Sequence, residues 1–312
     1  MSDIPITAIT TRTVAVSTGT EEECTVYVDE NGTNMRSLSR HKGSMQKATT
    51  EVEGIRSMQQ MELPNGLTVA HVSAGETGLL YREIFADRCY VQHGIQLKPG
   101  STIFDVGANI GMSALFFHTE CPDLVVHAFE PAPVPFAALT ANIEIHGIRA
   151  TATQCALSNH SGTARMTYYP DSTVMSGLHA DPAAEAALTR NLLLNSGFEE
   201  EDVDDLLEGR HAGVEIECEV RTLSQVIAER GVTTIDLLKV DVEKSELDVL
   251  RGLDESDWPK VKQIVAEVHD LDGTLKDFTS LLELHGFNVV LKQDELLQGS
   301  EIYAVFAVRR GA

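Results

Sequence analysis

The chain has 312 residues, of which 43% are hydrophobic and 23% are charged, a composition typical of a folded globular protein and too apolar for a disordered one. The 47 acidic residues outnumber the 24 basic ones and give a net charge of −23, which argues against nucleic acid as a partner. No apolar run approaches the ~20 residues that a membrane span requires, and the amino terminus lacks a signal-peptide pattern, so we expect a cytoplasmic protein without a membrane partner.

The amino-terminal part of the chain is predicted to be a small β-containing appendage, residues 1–62, ahead of a main domain at residues 63–312. Threonine- and valine-rich runs at Ile9–Thr18 and Cys24–Val28 predict short strands, and an Asn31-Gly32 turn signal follows the second of them. We expect the appendage to serve as a lid over the main domain.

Two local signals open the main domain. The Asn65-Gly66 pair lies between apolar runs and predicts a β-hairpin. The segment Tyr81–Val91 is then expected to be a helix, and helical periodicity places Glu83 and Tyr90 on one of its faces.

From residue 100 onward, short apolar strand patterns alternate with helical patterns. The predicted strands are Thr102–Val106, Val125–Phe129, Thr151–Ala156, Ile235–Val240, Ile264–Val268, Phe287–Leu291 and Ile302–Val308. The predicted helices are Ser113–Glu120, Pro133–His146, Leu223–Arg230, Glu246–Leu253 and Leu275–His285. This alternation is typical of α/β proteins whose mostly parallel sheet is covered on both faces and binds ligands at the carboxyl ends of its strands. The segment 170–213, helical at Pro182–Leu194, interrupts the alternation and is expected to be an insertion that covers the substrate.

A glycine-rich turn follows the first of these strands. Its sequence is DVGANIG, and the glycines at positions 107 and 111 permit a tight turn and a close approach of the backbone to a ligand. The next strand ends at Glu130, whose carboxylate suits a bidentate hydrogen bond to two ribose hydroxyls. The two features together predict a site for a cofactor that contains a nucleoside.

The spacing of the glycines narrows the choice of cofactor. Dinucleotide sites require Gly-x-Gly-x-x-Gly, and here Asn109 and Met112 occupy the second and third glycine positions, which argues against NAD and FAD. No P-loop motif occurs in the chain either. The acidic Asp105 before the turn favours S-adenosylmethionine, because that cofactor carries a cationic ammonium and a cationic sulfonium.

Five motifs carry a family resemblance. They are DVGANIG, HAFEP (His127–Pro131), CALSNHSG (Cys155–Gly162), DLLKVDVEKSELDVLRGL (Asp236–Leu253) and IVAEVHD (Ile264–Asp270). In this order and spacing they resemble the FkbM-type family of S-adenosylmethionine-dependent methyltransferases. The resemblance implies a Rossmann-like class I methyltransferase fold with a seven-stranded, mostly parallel sheet whose last strand is antiparallel. It also implies O-methylation of a small-molecule or natural-product intermediate, either free or tethered to a carrier protein.

The resemblance assigns cofactor-binding roles to residues along the carboxyl ends of the strands. The turn residues and the serine after them would hold the methionine half, Glu130 would bind the ribose, and a segment after the third strand would contact the adenine. Two residues upstream of the glycine turn would close over the methionine end. The residues concerned are Asp105, Gly107, Asn109, Gly111 and Ser113 in the turn, Glu130, then Ala156 and Ser158, and upstream Glu83 and Tyr90.

Charged residues at the ends of the fourth and fifth strands are the candidates for catalysis. Strand alternation places Asp241 and Glu243 on one side with Lys239, and we expect them to face the ligand. His269 is predicted to be the general base, with Glu243 as its orienting partner, because an ordinary histidine pKa lies near neutrality. The alternative is a divalent cation such as Mg²⁺ held by Asp241, His269 and Asp270, which would activate the acceptor oxygen.

Two other functions remain open from the sequence. One is a methyltransferase that acts on a macromolecule, against which the acidic charge weighs. The other is a non-catalytic protein that binds S-adenosylmethionine and serves as a partner. The charged cluster at the strand ends argues for an enzyme, since a non-catalytic protein has no need of it.

Overall fold

The computed structural model describes the backbone of three amino-terminal strands, at residues 10–13, 25–28 and 34–38, and then residues 58–195, Glu200, Val203, 212–294 and 297–311. The chain divides into two units, Met1–Ser57 and Met58–Ala312.

The first unit contains an antiparallel sheet of three strands, β1 (Thr10–Thr13), β2 (Thr25–Val28) and β3 (Asn34–Leu38), in that order. The first two lie within the runs from which strands were predicted, and the third was not predicted. The expected Asn31-Gly32 turn lies outside the described residues. The role of the appendage as a lid stays a prediction.

The second unit begins with the predicted hairpin. Strands β4 (Gln59–Glu62) and β5 (Thr68–His71) pair antiparallel, with Glu62 opposite Thr68. Gly66 in the connecting turn has a φ of +84°, a conformation that glycine adopts without steric cost.

The helix predicted at Tyr81–Val91 is wrong in both of its bounds. Helix α1 spans Ala74–Tyr81 and continues as a single π-helical turn over Arg82–Ala86. The chain then leaves the helical path, and Arg88 takes a φ of +55°. Tyr90 therefore lies in a loop and does not share a helical face with Glu83, so the spacing of the two residues was misleading.

The seven-stranded sheet predicted from the sequence is present. Its strands are β6 (Thr102–Val106), β7 (Val125–Phe129), β8 (Ala150–Thr153), β12 (Leu237–Val240), β13 (Gln263–His269), β14 (Phe287–Lys292) and β15 (Ile302–Arg309), in the order β14-β15-β13-β12-β6-β7-β8. The pairs from β13 to β8 are parallel, whereas β15 runs antiparallel to both of its neighbours. The order reverses direction between β6 and β12, and such a switch point is where open α/β sheets bind ligands.

A second, smaller sheet was not predicted. It contains β9 (Ala156–Leu157), β10 (Gly162–Tyr168) and β11 (Val214–Arg221), in the order β10-β11-β9. The strand expected at Thr151–Ala156 is thus divided, because its first part pairs in the large sheet and its end pairs with β11 in the small one.

The other helices lie close to where the sequence predicted them. They are α2 (Met112–Glu120), α3 (Pro133–His146), α4 (Pro182–Asn195), α5 (Leu223–Arg230), α6 (Glu246–Arg251) and α7 (Thr274–Leu284). Local chemistry fixes their ends: α5, for example, starts at a capping box of Thr222 and Gln225 and stops at Gly231, where φ is +61°. Within the described residues no helix is long and apolar enough to cross a membrane.

Alternate residues of each central strand fill two separate apolar clusters. Ile103 packs on one face of the sheet with Leu115 and Phe306. Phe104, the next residue, packs on the other face with residues of α5 and α7. This two-sided burial explains why the central strands are apolar at almost every position.

Candidate functional site

The glycine turn after β6 is packed tightly against the end of β12. Gly107 has a φ of +76°, and a Cβ atom at this position would lie 1.7 Å from the carbonyl oxygen of Asp241. The N–H groups of Gly107 and Ala108 both donate to the carbonyl oxygen of Phe129, at 3.0 and 2.9 Å. The turn therefore joins three strand ends, and a side chain at position 107 is excluded on steric grounds.

Glu130 lies at the end of β7 and connects two loops through backbone hydrogen bonds. Its Oε2 accepts from the N–H of Asn109 at 2.9 Å, and its Oε1 accepts from the N–H of Ala132 at 2.8 Å. Burial raises the pKa of Glu130 to about 7, although the two backbone hydrogen bonds oppose that rise. Each oxygen retains acceptor capacity, so the carboxylate is suited to receive two ribose hydroxyls.

Asp105 and Ser113 form a buried pair beneath the turn. The Ser113 hydroxyl donates to Asp105 Oδ2 at 2.5 Å, and Asp105 Oδ1 lies 3.2 Å from the ammonium of Lys239. Both side chains of the pair are buried, and the structure thus gives them internal partners. The prediction that they contact the cofactor stays a prediction.

Lys239 does not face the ligand as expected, because it is only 2% exposed. Its Nζ donates to the carbonyl oxygen of Gly107 at 2.6 Å, lies 3.4 Å from Asp241 Oδ2 and lies 5.7 Å from the centre of the Tyr90 ring. Burial alone would lower the pKa of Lys239, but the charges of Asp105 and Asp241 raise it. Lys239 is therefore a permanent cation that ties both carboxylates to the glycine turn.

The structure brings Glu83 and Tyr90 to Asp241 by separate routes. The Tyr90 hydroxyl donates to Asp241 Oδ2 at 3.4 Å from its loop. Glu83 lies in the π-helical turn, where desolvation and then the negative charges of Asp241 and Asp294 raise its pKa to about 7. Tyr90 therefore borders the end of β12, and Glu83 lies within electrostatic range of the Asp241 carboxylate.

His269 is paired on both sides of its ring. Its Nε2 lies 3.2 Å from Glu243 Oε2, as the sequence predicts, and its Nδ1 lies 3.1 Å from Glu246 Oε1, a contact the sequence analysis missed. Burial alone would lower the pKa of His269, but the two carboxylates raise it to about 11. The premise that His269 has an ordinary pKa is wrong, and a protonated imidazolium is a poor general base at neutral pH.

The loop between Asp241 and α6 has an unusual backbone. Glu243 and Lys244 have φ values of +53° and +68°, which are uncommon for residues that carry a Cβ. Such conformations cost about 1–3 kcal/mol each and persist where the surrounding contacts hold them. Here the His269–Glu243 pair and the hydrogen bond from the Lys244 N–H to Glu246 Oε1 provide those contacts.

The cation site suggested by the sequence is not assembled. Asp270 Oδ1 accepts from the N–H of Leu275 at 3.1 Å, at the start of α7. Within the described part of the chain, the residues that meet are instead Glu243, Glu267 and His269, with one ligand atom each within 4.8 Å of one another.

The two residues predicted to contact adenine, Ala156 and Ser158, have well-defined neighbours in the structure. Ala156 packs in a small apolar cluster with Ala132, two residues after Glu130, whereas Ser158 is buried and donates its N–H to the carbonyl oxygen of Arg221. Their contact with adenine stays a prediction.

Two contacts connect the insertion to the site. Asn109 Nδ2 donates to Thr173 Oγ1 at 3.3 Å, and Lys244 Nζ donates to Glu185 Oε1 at 2.6 Å in a buried ion pair. The insertion thus packs on the glycine turn and on the loop after Asp241. The sequence analysis named neither Thr173 nor Glu185, since nothing in its pattern marks a partner so far along the chain.

Comparison with known proteins bears directly on this site. Residues 105–289 match the family model described as the methyltransferase FkbM domain. The chain is 56% identical to the 31-O-demethyl-FK506 methyltransferase FkbM of Streptomyces tacrolimicus, over 81% of this chain and 97% of that protein. It is 38% identical to part of the AMB antimetabolite synthetase AmbE of Pseudomonas aeruginosa, over 82% of this chain and 13% of that protein, and 34% identical to the methyltransferase sdnD of Sordaria araneosa, over 72% and 87%.

Proposed function

Because this chain belongs to the FkbM family of methyltransferases, we propose that it transfers the methyl group of S-adenosylmethionine to a hydroxyl oxygen of a small natural-product intermediate. The observation that carries the proposal is the meeting of the glycine turn, Glu130 and Asp241 at the switch point of the sheet. The relative named as a 31-O-demethyl-FK506 methyltransferase supports a small natural product as the acceptor. The net charge of −23 argues against a nucleic-acid acceptor.

The nucleoside half of the cofactor is proposed to lie on the β7 side of the turn. Glu130 is fixed there by two backbone N–H groups, so its oxygens are oriented before a ligand binds. The apolar cluster around Ala132 and Ala156 would adjoin the adenine. The methionine half then extends past Gly107 toward the end of β12.

When bound, S-adenosylmethionine supplies an electrophilic methyl group on a positively charged sulfur. The chain must align the acceptor with that methyl group, exclude water and take up the proton of the hydroxyl. Asp241 is proposed to accept the proton, because its side chain is 30% exposed at the strand end and Lys239 and Tyr90 hold its Oδ2. His269 is proposed to hold Glu243 and Glu246 as their counter-ion.

The direct test is methyl transfer with purified protein, S-adenosylmethionine and 31-O-demethyl-FK506, followed by mass spectrometry, with a panel of natural-product alcohols beside it. We expect a product one methyl group heavier, together with S-adenosylhomocysteine. Asp241→Asn should lower kcat at least about a hundredfold, the lower range for loss of a general base. Glu144→Gln removes one exposed negative charge on α3 and serves as the control.

Two arms of the experiment address what the acceptor requires. Activity that persists in EDTA supports direct proton transfer to the protein, whereas activity that is lost in EDTA and restored by Mg²⁺ would replace it with a cation mechanism. Free acceptors are offered beside carrier-bound ones, because either form fits the proposal. Failure to bind S-adenosylmethionine and to methylate any acceptor would refute the proposed function.

A further inference from the structure

The insertion contacts the loop that follows Asp241 at two points. Gly177 packs against the backbone of this loop, since a Cβ atom added at Gly177 would lie 3.0 Å from both the Cβ and the carbonyl oxygen of Glu243. At the next residue, Lys244 Nζ donates to Glu185 Oε1 at 2.6 Å, and the two side chains are only 6% and 1% exposed. The insertion therefore contacts the two loop residues whose φ is positive.

Both contacts come from parts of the insertion that are themselves fixed. The N–H of Gly177 donates to the carbonyl oxygen of Thr167 on β10 at 3.1 Å, and its carbonyl oxygen accepts from the N–H of Thr167 at 3.0 Å. Glu185 lies in the first turn of α4, where its N–H donates to the carbonyl oxygen of Asp181 at 2.9 Å and its Oε1 accepts from the N–H of Asp181 at 3.2 Å. The insertion can therefore hold the loop in place.

The loop begins at the residue that is proposed to accept the proton. The N–H of Asp241 donates to the carbonyl oxygen of Val106 at 3.1 Å, so the sheet fixes the backbone on that side of the residue. On its other side the chain passes into Glu243 and Lys244, whose left-handed conformations cost free energy. Without the insertion contacts these residues would relax, and the movement would reach Asp241 through the backbone.

We propose that Gly177 and Glu185 are positioning residues, which hold the strained loop and so keep the Asp241 carboxylate aligned with the acceptor hydroxyl. This inference rests on the proposed function, in which Asp241 takes up the proton. A general base acts only within hydrogen-bonding reach of that proton, so a small displacement of the loop lowers the rate of transfer.

The test is a double-mutant cycle in kcat that compares the wild type, Glu185→Gln, Asp241→Asn and the variant with both changes. Glu185→Gln should lower kcat about tenfold or more in the wild type, because misplacement of a catalytic group by ~1 Å can cost a factor of ~100. With asparagine at position 241 it should lower kcat by less than about twofold, since the two residues act as a unit. Glu144→Gln controls for the loss of one negative charge.

Gly177→Ala tests the same inference without removing a charge. Its Cβ would push on Glu243, so kcat should fall about threefold or more in the wild type and by less when asparagine replaces Asp241. Gly78→Ala is the matched control, because Gly78 lies on α1 and nothing lies within 4 Å of the added Cβ. Calorimetric titration with S-adenosylmethionine shows which variants are folded, and Gly177→Ala decides the question if Glu185→Gln does not fold.

The outcomes separate this inference from the function on which it rests. A wild type that neither binds S-adenosylmethionine nor methylates any acceptor refutes the proposed function. Full activity of Asp241→Asn refutes the assignment of the base and overturns the inference with it. If Asp241→Asn is impaired but Glu185→Gln lowers kcat equally in both backgrounds, the ion pair is merely structural and the inference alone is overturned. Unchanged kcat in Glu185→Gln and Gly177→Ala also overturns the inference alone.

Discussion

The two sides of the candidate site are built in different ways. On the β7 side, the turn at Gly107 and the carboxylate of Glu130 are held by backbone N–H groups and by the absence of a side chain. On the β12 and β13 side, Lys239 and His269 are each paired with two carboxylates. Backbone contacts fix the shape of the turn that we propose binds the nucleoside, whereas paired charges set the electrostatic field on the other side. The first side depends on steric fit and the second on charge balance.

The largest effect is expected from Gly107→Ala. The new Cβ would lie 1.7 Å from the Asp241 carbonyl oxygen, so the turn or the end of β12 must move. We expect a loss of several kcal/mol in unfolding free energy, well above the ~1 kcal/mol for placing alanine at an unobstructed positive φ. Denaturant unfolding measures the loss.

Gly66→Ala is the matched control, because Gly66 has a φ of +84° and nothing lies within 4 Å of the added Cβ. Equal losses in the two variants would show that conformation alone, and not the contact with Asp241, accounts for the effect at position 107.

A smaller effect is expected from Lys239→Met. The substitution leaves Asp105, which is fully buried, without its cation, and breaking such a pair typically costs about 3–5 kcal/mol. The double variant Lys239→Met with Asp105→Asn removes both charges and should recover part of that loss in denaturant unfolding. A double variant as unstable as the single one would mean that Lys239 acts through the Gly107 carbonyl contact and not through charge.

The third effect concerns His269 and depends on pH. Its pKa rises from 6.5 to about 11 on folding, so the protonated form stabilises the fold fully below pH 6.5 and this contribution is lost as pH rises through 11. His269→Gln should therefore destabilise the protein by about 2 kcal/mol at pH 6, comparable to charged hydrogen bonds, and by progressively less at higher pH. Thermal unfolding of both proteins between pH 6 and pH 10 measures the difference. A difference that grows with pH would contradict the assignment of an imidazolium.

Most of the fold could be predicted from the sequence, because strands that are buried on both faces are short runs of apolar residues that are easy to recognise. Strands β6 and β7 and helices α3 and α5 have the predicted bounds to the residue. The small sheet was missed although β11, VEIECEVR, alternates exposed glutamates with inward-facing residues. That alternation predicts a strand, but the strand was overlooked because the segment lies next to a long insertion.

The site was predictable where it depends on local turns and not where it depends on contacts across the fold. Motif spacing alone predicted the glycine turn and the position of Glu130 at the end of the next strand, and their roles in binding the cofactor stay predictions. The raised pKa of His269 could not be predicted from the sequence. The second carboxylate beside the ring comes from Glu246 on α6, and only the packing of α6 on β13 brings the two residues together. Helical periodicity also failed to place Glu83 and Tyr90. The helix turns π-helical at Arg82–Ala86 and ends there, so the regular spacing of an α-helix does not extend to residue 90.

The central claim is that the turn and Glu130 form a cradle for S-adenosylmethionine. Calorimetric titration of the wild type, Glu130→Gln and Glu130→Ala with S-adenosylmethionine tests it most directly, with NAD as the ligand control and Glu144→Gln as the protein control. We expect the wild type to bind S-adenosylmethionine and not NAD, and each Glu130 variant to lose about 2 kcal/mol of binding free energy, as for a lost hydrogen bond to a charged group. Unchanged affinity in both Glu130 variants, or tight binding of NAD by the wild type, would contradict the account.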